Sequence, residues 1–175
     1  MTIRTISIFG TSRAGVGDAV YQLAYDVGSV LAHSGFVIAN GGYGGTMLAA
    51  AKGAFDNGGE VVGVTCSAFS SDANKYVSSE IKTGCLTERL DKLIELGDGY
   101  VVLPGGTGTL LELAKVWELK NKGFLKKDKP IILVGGFWKS LIELIEIDDP
   151  KCGIYVQTAN EPKDIIELLK KFLPE

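Results

Sequence analysis

Glu112 closes the run Pro104-Gly-Gly-Thr-Gly-Thr-Leu-Leu-Glu112, and its place there gives a single carboxylate chemical interest. Glycines let the backbone come close to a ligand, while the free N–H groups of a first helical turn and the helix dipole favour an anion. A phosphate suits such a cradle. Gly105, Gly106, Thr107, Gly108 and Thr109 would form it, with the two threonine hydroxyls as further donors. A carboxylate one turn farther on is repelled by phosphate, so Glu112 is expected to address another part of the ligand. The plainer alternative is a tight strand-to-helix turn followed by a solvated glutamate.

Other residues could join the same chemistry. Asn40-Gly-Gly-Tyr-Gly-Gly-Thr-Met47 is a second glycine loop, with Gly41, Gly42, Gly45, Thr46 and Met47 as candidate ligand contacts. One such loop is a weak signal, but two in a short chain are harder to assign to turn chemistry alone. The spacing is not a GxGxxG followed by a ribose-binding acid, because Glu60 opens the next strand; a standard dinucleotide site is not expected. Gly10, Thr11, Ser12 and Arg13 make a third polar loop, in which Arg13 is either a phosphate ligand or an exposed loop residue. Arg89 stands near the start of a helix, an end that disfavours cations, so something must hold it there. On residue types alone, Arg89 and Glu112 also read as a structural salt bridge joining two helices. His33, the only histidine, reads as a helix-end cation or a surface residue.

These residues need strands and helices to bring them together. Apolar runs predict strands at residues 5–9, 36–39, 60–66, 100–103, 130–134 and 154–157, with a short extended piece at 80–83. Between them lie helical patterns: one capped by Asp18 and ending at Ser34-Gly35, one from the second glycine loop through Phe55, and one striped by Leu86, Leu90, Leu93, Ile94 and Leu96. Another runs on from Thr109, capped by Thr107 or Thr109, with Leu110, Leu113, Ala114 and Trp117 facing inward; two more are expected at 137–147 and 162–172. Residues 67–79 form a polar stretch suited to a mobile flap. This alternation predicts an α/β chain, a Rossmann-like three-layer α/β/α domain with a mostly parallel sheet, spanning residues 1–175 as one domain. The loops at Gly10, Gly41 and Pro104 then all fall at the carboxyl ends of strands, where such sheets hold ligands.

Composition narrows the functions further. The 175 residues are 46% hydrophobic, enough to bury a core without staples, and carry a formal charge of −3. That charge argues against nucleic acid as a partner, and the basic residues between Lys120 and Lys129 read as a solvated loop. The three cysteines, Cys66, Cys85 and Cys152, are far apart and suggest neither a disulfide framework nor a metal site. The N-terminal residues enter a strand pattern directly and no run approaches the length of a membrane span, so a cytoplasmic protein without a membrane partner is expected.

The two loops carry a family resemblance. Asn40-Gly-Gly-Tyr-Gly-Gly-Thr-Met47 resembles the GGxxGxM signature, and residues 104–112 match PGGxGTxxE in full. On these motifs the chain is similar to the LOG family, long labelled "possible lysine decarboxylase" and characterised as cytokinin riboside 5′-monophosphate phosphoribohydrolases. The resemblance implies cleavage of a nucleoside 5′-monophosphate to free base and ribose 5-phosphate, with Arg89 and Glu112 catalytic and the loop from Gly105 to Thr109 as phosphate cradle. It also implies no cofactor or metal, a nucleotide-like phosphorylated small molecule as ligand, and a homodimer, with Trp117 or Trp138 as surface anchor or core residue. One departure stands out: Leu86-Thr-Glu-Arg89-Leu90 keeps the family's arginine but has leucine where lysine usually follows. Relatives with the same loops include molybdenum-cofactor carriers, so a non-catalytic nucleotide or pterin carrier is the second reading. Pyridoxal-phosphate decarboxylation is not expected, because neither glycine loop holds a lysine for the Schiff base.

Overall fold

Runs such as Ile131-Ile-Leu-Val134 are apolar on both faces, and a strand of that kind is stable only where helices cover both sides. The computed structural model describes residues 3–69, 72–126 and 128–173. Among these, Thr5–Phe9 (β1), Val37–Asn40 (β2), Val61–Cys66 (β3), Ser79–Thr83 (β4), Gly99–Val102 (β5), Ile131–Val134 (β6) and Val156–Ala159 (β7) form one sheet. Every pairing in it is parallel, and the order is β4-β3-β2-β1-β5-β6-β7. The helices are Ala19–His33 (α1), Thr46–Asp56 (α2), Leu86–Leu96 (α3), Thr107–Asn121 (α4), Lys139–Ile145 (α5) and Pro162–Phe172 (α6).

The period of two along each strand divides the core into two layers. Ile6, Ile8, Val101, Ile132 and Val134 pack in one apolar cluster with residues of α1, α2 and α6. Phe9, Tyr100, Val102, Ile131 and Leu133 belong to the other, with residues of α3 and α4. The α/β/α layering expected from the sequence is therefore present. The strand order sets the site: β1 lies between β2 and β5, so the loops leaving β1 and β5 diverge there and open a crevice at the carboxyl edge.

Several local expectations need correction. Neither Thr107 nor Thr109 caps α4; Gly106 is the N-cap residue, no side chain caps it, and the helix starts at Thr107. Its buried stripe is Thr109, Leu113, Val116 and Trp117, while Ala114 is exposed, so the helix is turned to bury Thr109 and Val116 instead of the face outlined by Leu110 and Ala114. Asp18 precedes α1, but its carboxylate accepts a hydrogen bond from Gly15 N–H at 2.7 Å instead of from the helix. Residues 152–155 form a short 3₁₀ helix, so the last strand comes later than expected, and α5 is shorter at both ends. Trp117 and Trp138 are each 5% exposed and donate their indole N–H to Cys152 C=O and Leu103 C=O, so both are core residues and not surface anchors. Of the polar stretch at 67–79, Ser70 and Ser71 lie outside the described residues.

Candidate active site

The loop after β5 is built as an open helix start. The first backbone bond into α4 runs from Leu110 N–H to Gly106 C=O at 2.9 Å, so the N–H groups of Thr107, Gly108 and Thr109 precede any acceptor within the helix. A Cβ added at Gly106 or Gly108 would meet nothing within 4 Å. Gly105 differs, since its Cβ would collide with the hydroxyl of the buried Thr109. Gly106 has φ −95°, so it does not need the left-handed backbone that glycine alone adopts freely. Its use is open space in front of the helix terminus. A Gly106→Val variant should therefore fold normally, changing stability by about 1 kcal/mol or less, while phosphate binding falls at least about tenfold. Thermal unfolding and calorimetric titration with AMP check the two halves, and unchanged binding would reduce the loop to a turn.

Glu112 lies one helical turn beyond this open terminus. It is partly buried, and among the described residues it has neither a hydrogen-bond partner nor an ion pair within 4.0 Å. Burial pushes its carboxyl up to about 7, against the lowering effect of the Arg89 charge. The helix-to-helix ion pair is made by other residues: Lys115 of α4 bonds Asp91 of α3. Arg89 and Glu112 thus influence one another through space without forming the structural bridge that the residue types alone allowed.

Arg89 enters from the first turns of α3 and is only 8% exposed. Its Nε–H donates to Val64 C=O at 2.8 Å, and Nη2 lies 3.8 Å from the Met47 sulfur. Its guanidinium carbon stands 5.5 Å from the Tyr43 ring centre and 5.9 Å from that of Phe69. Leu90, where the family's lysine is usual, is 6% exposed in the apolar cluster with Phe9 and Val64. The leucine is therefore part of the core packing.

The remaining candidates fall into two groups. Gly41, Gly42, Gly45 and Thr46 are buried, and Met47 is partly so. Thr46 spends both its N–H and its hydroxyl on Thr11 C=O, at 2.9 and 3.0 Å, which joins the first loop to the start of α2. Gly10 packs directly on Thr46, where a Cβ would collide with its hydroxyl. Ser12 and Arg13 are exposed, and Arg13 N–H is bonded to the Thr11 hydroxyl at 3.1 Å. Cavities of about 400, 330 and 540 Å³ lie among the described residues, lined by neither Arg89 nor Glu112. The candidate chemistry lies instead on the loops at the strand ends.

Two residues had no place among the sequence candidates. Asn40, fully buried, accepts Gly42 N–H at 2.8 Å and donates to Met47 C=O at 3.1 Å. Asn74 donates to Gly42 C=O and Tyr43 C=O at 3.0 and 2.9 Å, tying part of the expected flap to the second glycine loop. A polar residue closing a buried strand is a usable signal for Asn40. Nothing in the local sequence marks Asn74.

Comparison with known proteins supplies a context for this geometry. A family model described as the SLOG cluster4 family matches residues 3–166. The chain is similar to a cytokinin riboside 5′-monophosphate phosphoribohydrolase of Rhodococcoides fascians, 30% identical over 151 residues, 83% of this chain and 75% of that protein. It is 29% identical to a probable enzyme of the same name from Oryza sativa subsp. japonica, over 82% of this chain and 64% of the rice protein, just under two thirds of its length. Among solved structures, the molybdenum cofactor binding protein from Rippkaea orientalis is similar over 99% of both chains, with a TM-score of 0.82 and 27% identity.

Proposed function

The chain belongs to the SLOG cluster4 family and shares the LOG likeness of its relatives, and from that premise we propose that it is a nucleoside 5′-monophosphate phosphoribohydrolase. The observation that carries this reading is the pairing of an open helix terminus with an unpaired, partly buried Glu112 one turn away, in the field of Arg89. In the reaction the bond from C1′ to the base nitrogen breaks, the base leaves with the electron pair and gains a proton, and water supplies hydroxide to C1′. Positive charge builds on the ribose as that bond lengthens. An ionised Glu112 stabilises that charge and orients the incoming water, while the free N–H groups of residues 107–109 hold the 5′-phosphate. The Arg89 charge offsets part of the burial that opposes ionisation of Glu112.

A pH dependence follows. Since Glu112 acts ionised and titrates at about 7, kcat/KM should fall toward acid, by about tenfold for each pH unit below that value. A pH–rate profile with AMP checks it; activity level down to pH about 5 would exclude this protonation state as the active one. The function itself is tested by incubating the protein with a panel of nucleoside 5′-monophosphates and assaying free base and ribose 5-phosphate.

A second reading rests on a specific observation, the end-to-end likeness to a molybdenum cofactor binding protein. On that reading the same crevice carries a nucleotide or pterin without cleaving it. Release of a bound chromophore from the purified protein, with no base released from any monophosphate, would decide for the carrier.

A further inference from the structure

We infer that the glycine loop after β2 is the seat of Arg89 and not a second anion cradle, and that Gly41, Tyr43 and Met47 are positioning residues for its guanidinium. The first ground is that the start of α2 is closed. Thr46 N–H and Oγ1 both bond Thr11 C=O, and a Cβ at Gly45 would run into Thr11 C=O and the Ser12 backbone. The place where an anion would approach this terminus is taken by the loop after β1. At Gly106 and Gly108 the corresponding space is open.

The second ground is what fills the space beside Gly41. A Cβ there would overlap Arg89 Nη2 and press on the Met47 sulfur, so the missing side chain is what admits the guanidinium. Met47 sulfur, Val64 C=O and the faces of Tyr43 and Phe69 complete the seat. A buried cation at a helix N-terminus is unfavourable on two counts, and among the described residues Arg89 has no carboxylate within 4.0 Å. Aromatic faces and a carbonyl oxygen offset that without removing the charge, as a carboxylate partner would.

The third ground is how the loop is braced. Tyr43 Oη accepts Cys66 N–H at 2.8 Å and donates to Cys66 C=O at 3.1 Å, fixing the ring against β3. Asn40 and Asn74 hold the backbone of Gly42, Tyr43 and Met47. All these bonds are internal to the protein. The inference rests on the hydrolase reading only for the use made of Arg89, not for where Arg89 lies.

The chain contains three arginines, Arg4, Arg13 and Arg89, so arginine-labelled NMR can follow the Arg89 Nε–H, assigned with an Arg89→Lys control. Gly41→Ala and Tyr43→Leu should speed its solvent exchange at least about tenfold, while affinity for inorganic phosphate changes by less than about threefold. Tyr43→Phe, which keeps the ring and loses the clamp on Cys66, should have a smaller effect. Gly106→Val should do the reverse, losing phosphate and leaving the Arg89 signal unchanged. The seat is overturned if Gly41→Ala or Tyr43→Leu abolishes phosphate binding with Nε–H exchange unaltered, and Tyr43→Leu decides alone if Gly41→Ala does not fold. Should no monophosphate be hydrolysed while the exchange pattern holds, the seat stands and the hydrolase reading falls.

Discussion

Glu112→Gln should slow release of the base by on the order of 10²-fold or more, leave AMP bound, and at the same time make the protein more stable above neutral pH. On the proposed mechanism the loss follows from removing the negative charge that faces a cationic ribose while keeping shape and hydrogen-bonding capacity. The gain follows from the same burial. In the folded chain the carboxyl titrates at about 7 instead of 4.5, so it binds its proton more tightly than the unfolded chain does. Between those two values the folded state holds more protons, and stability falls as pH rises through the window. Above it, the ionised carboxylate costs the fold on the order of 1–3 kcal/mol, which glutamine does not. Urea unfolding of both proteins at pH about 5 and about 8 should show the gap widening at the higher pH. Undiminished turnover would remove Glu112 from the chemistry, and an equal gap between the two proteins at both pH values would mean that its burial does not oppose ionisation.

That trade could be suspected from the sequence only in outline. The strand-to-helix alternation was legible because each central strand is an unbroken apolar run and each glycine loop interrupts the pattern at a strand end. The PGGxGTxxE run placed Glu112 one turn beyond a cradle, which depends only on local helix geometry. Residue periodicity misjudged the frame of α4, because Thr109 is polar and buried while Ala114 is apolar and exposed. The last strand was misplaced because Ile154 and Tyr155, suited to a strand by type, are used in a 3₁₀ turn. The surroundings of Arg89 were hidden for a different reason. They come from β2, α2, β3 and the segment after β3, and only the parallel pairing of β2 with β3 brings them together. A glycine packed against an arginine and a glycine before an open helix terminus look the same in a sequence. They differ in what occupies the space a Cβ would take.

Removing the phosphate from the substrate should lower binding and turnover by about a hundredfold, a larger effect than most exchanges of one base for another. On the proposed reading the free N–H groups at the start of α4, with the exposed Thr107, give one phosphate several charge-assisted bonds. A nucleoside leaves those donors without the phosphate as acceptor, and unpaired donors of that kind cost roughly 3 kcal/mol together. On the proposed reading the base has no comparable set among the described residues. Of the polar groups near the second loop, Asn40, Asn74 and the Tyr43 hydroxyl are already engaged with backbone atoms. Phe69, 44% accessible beside that loop, offers a surface for stacking, which on the proposed reading distinguishes one base from another only weakly. Binding and base release should be measured for AMP, GMP, CMP, a cytokinin riboside monophosphate and the matching nucleosides. Adenosine handled as well as AMP would refute the cradle. A monophosphate panel that binds uniformly but releases no base would keep the cradle and transfer the function to the carrier.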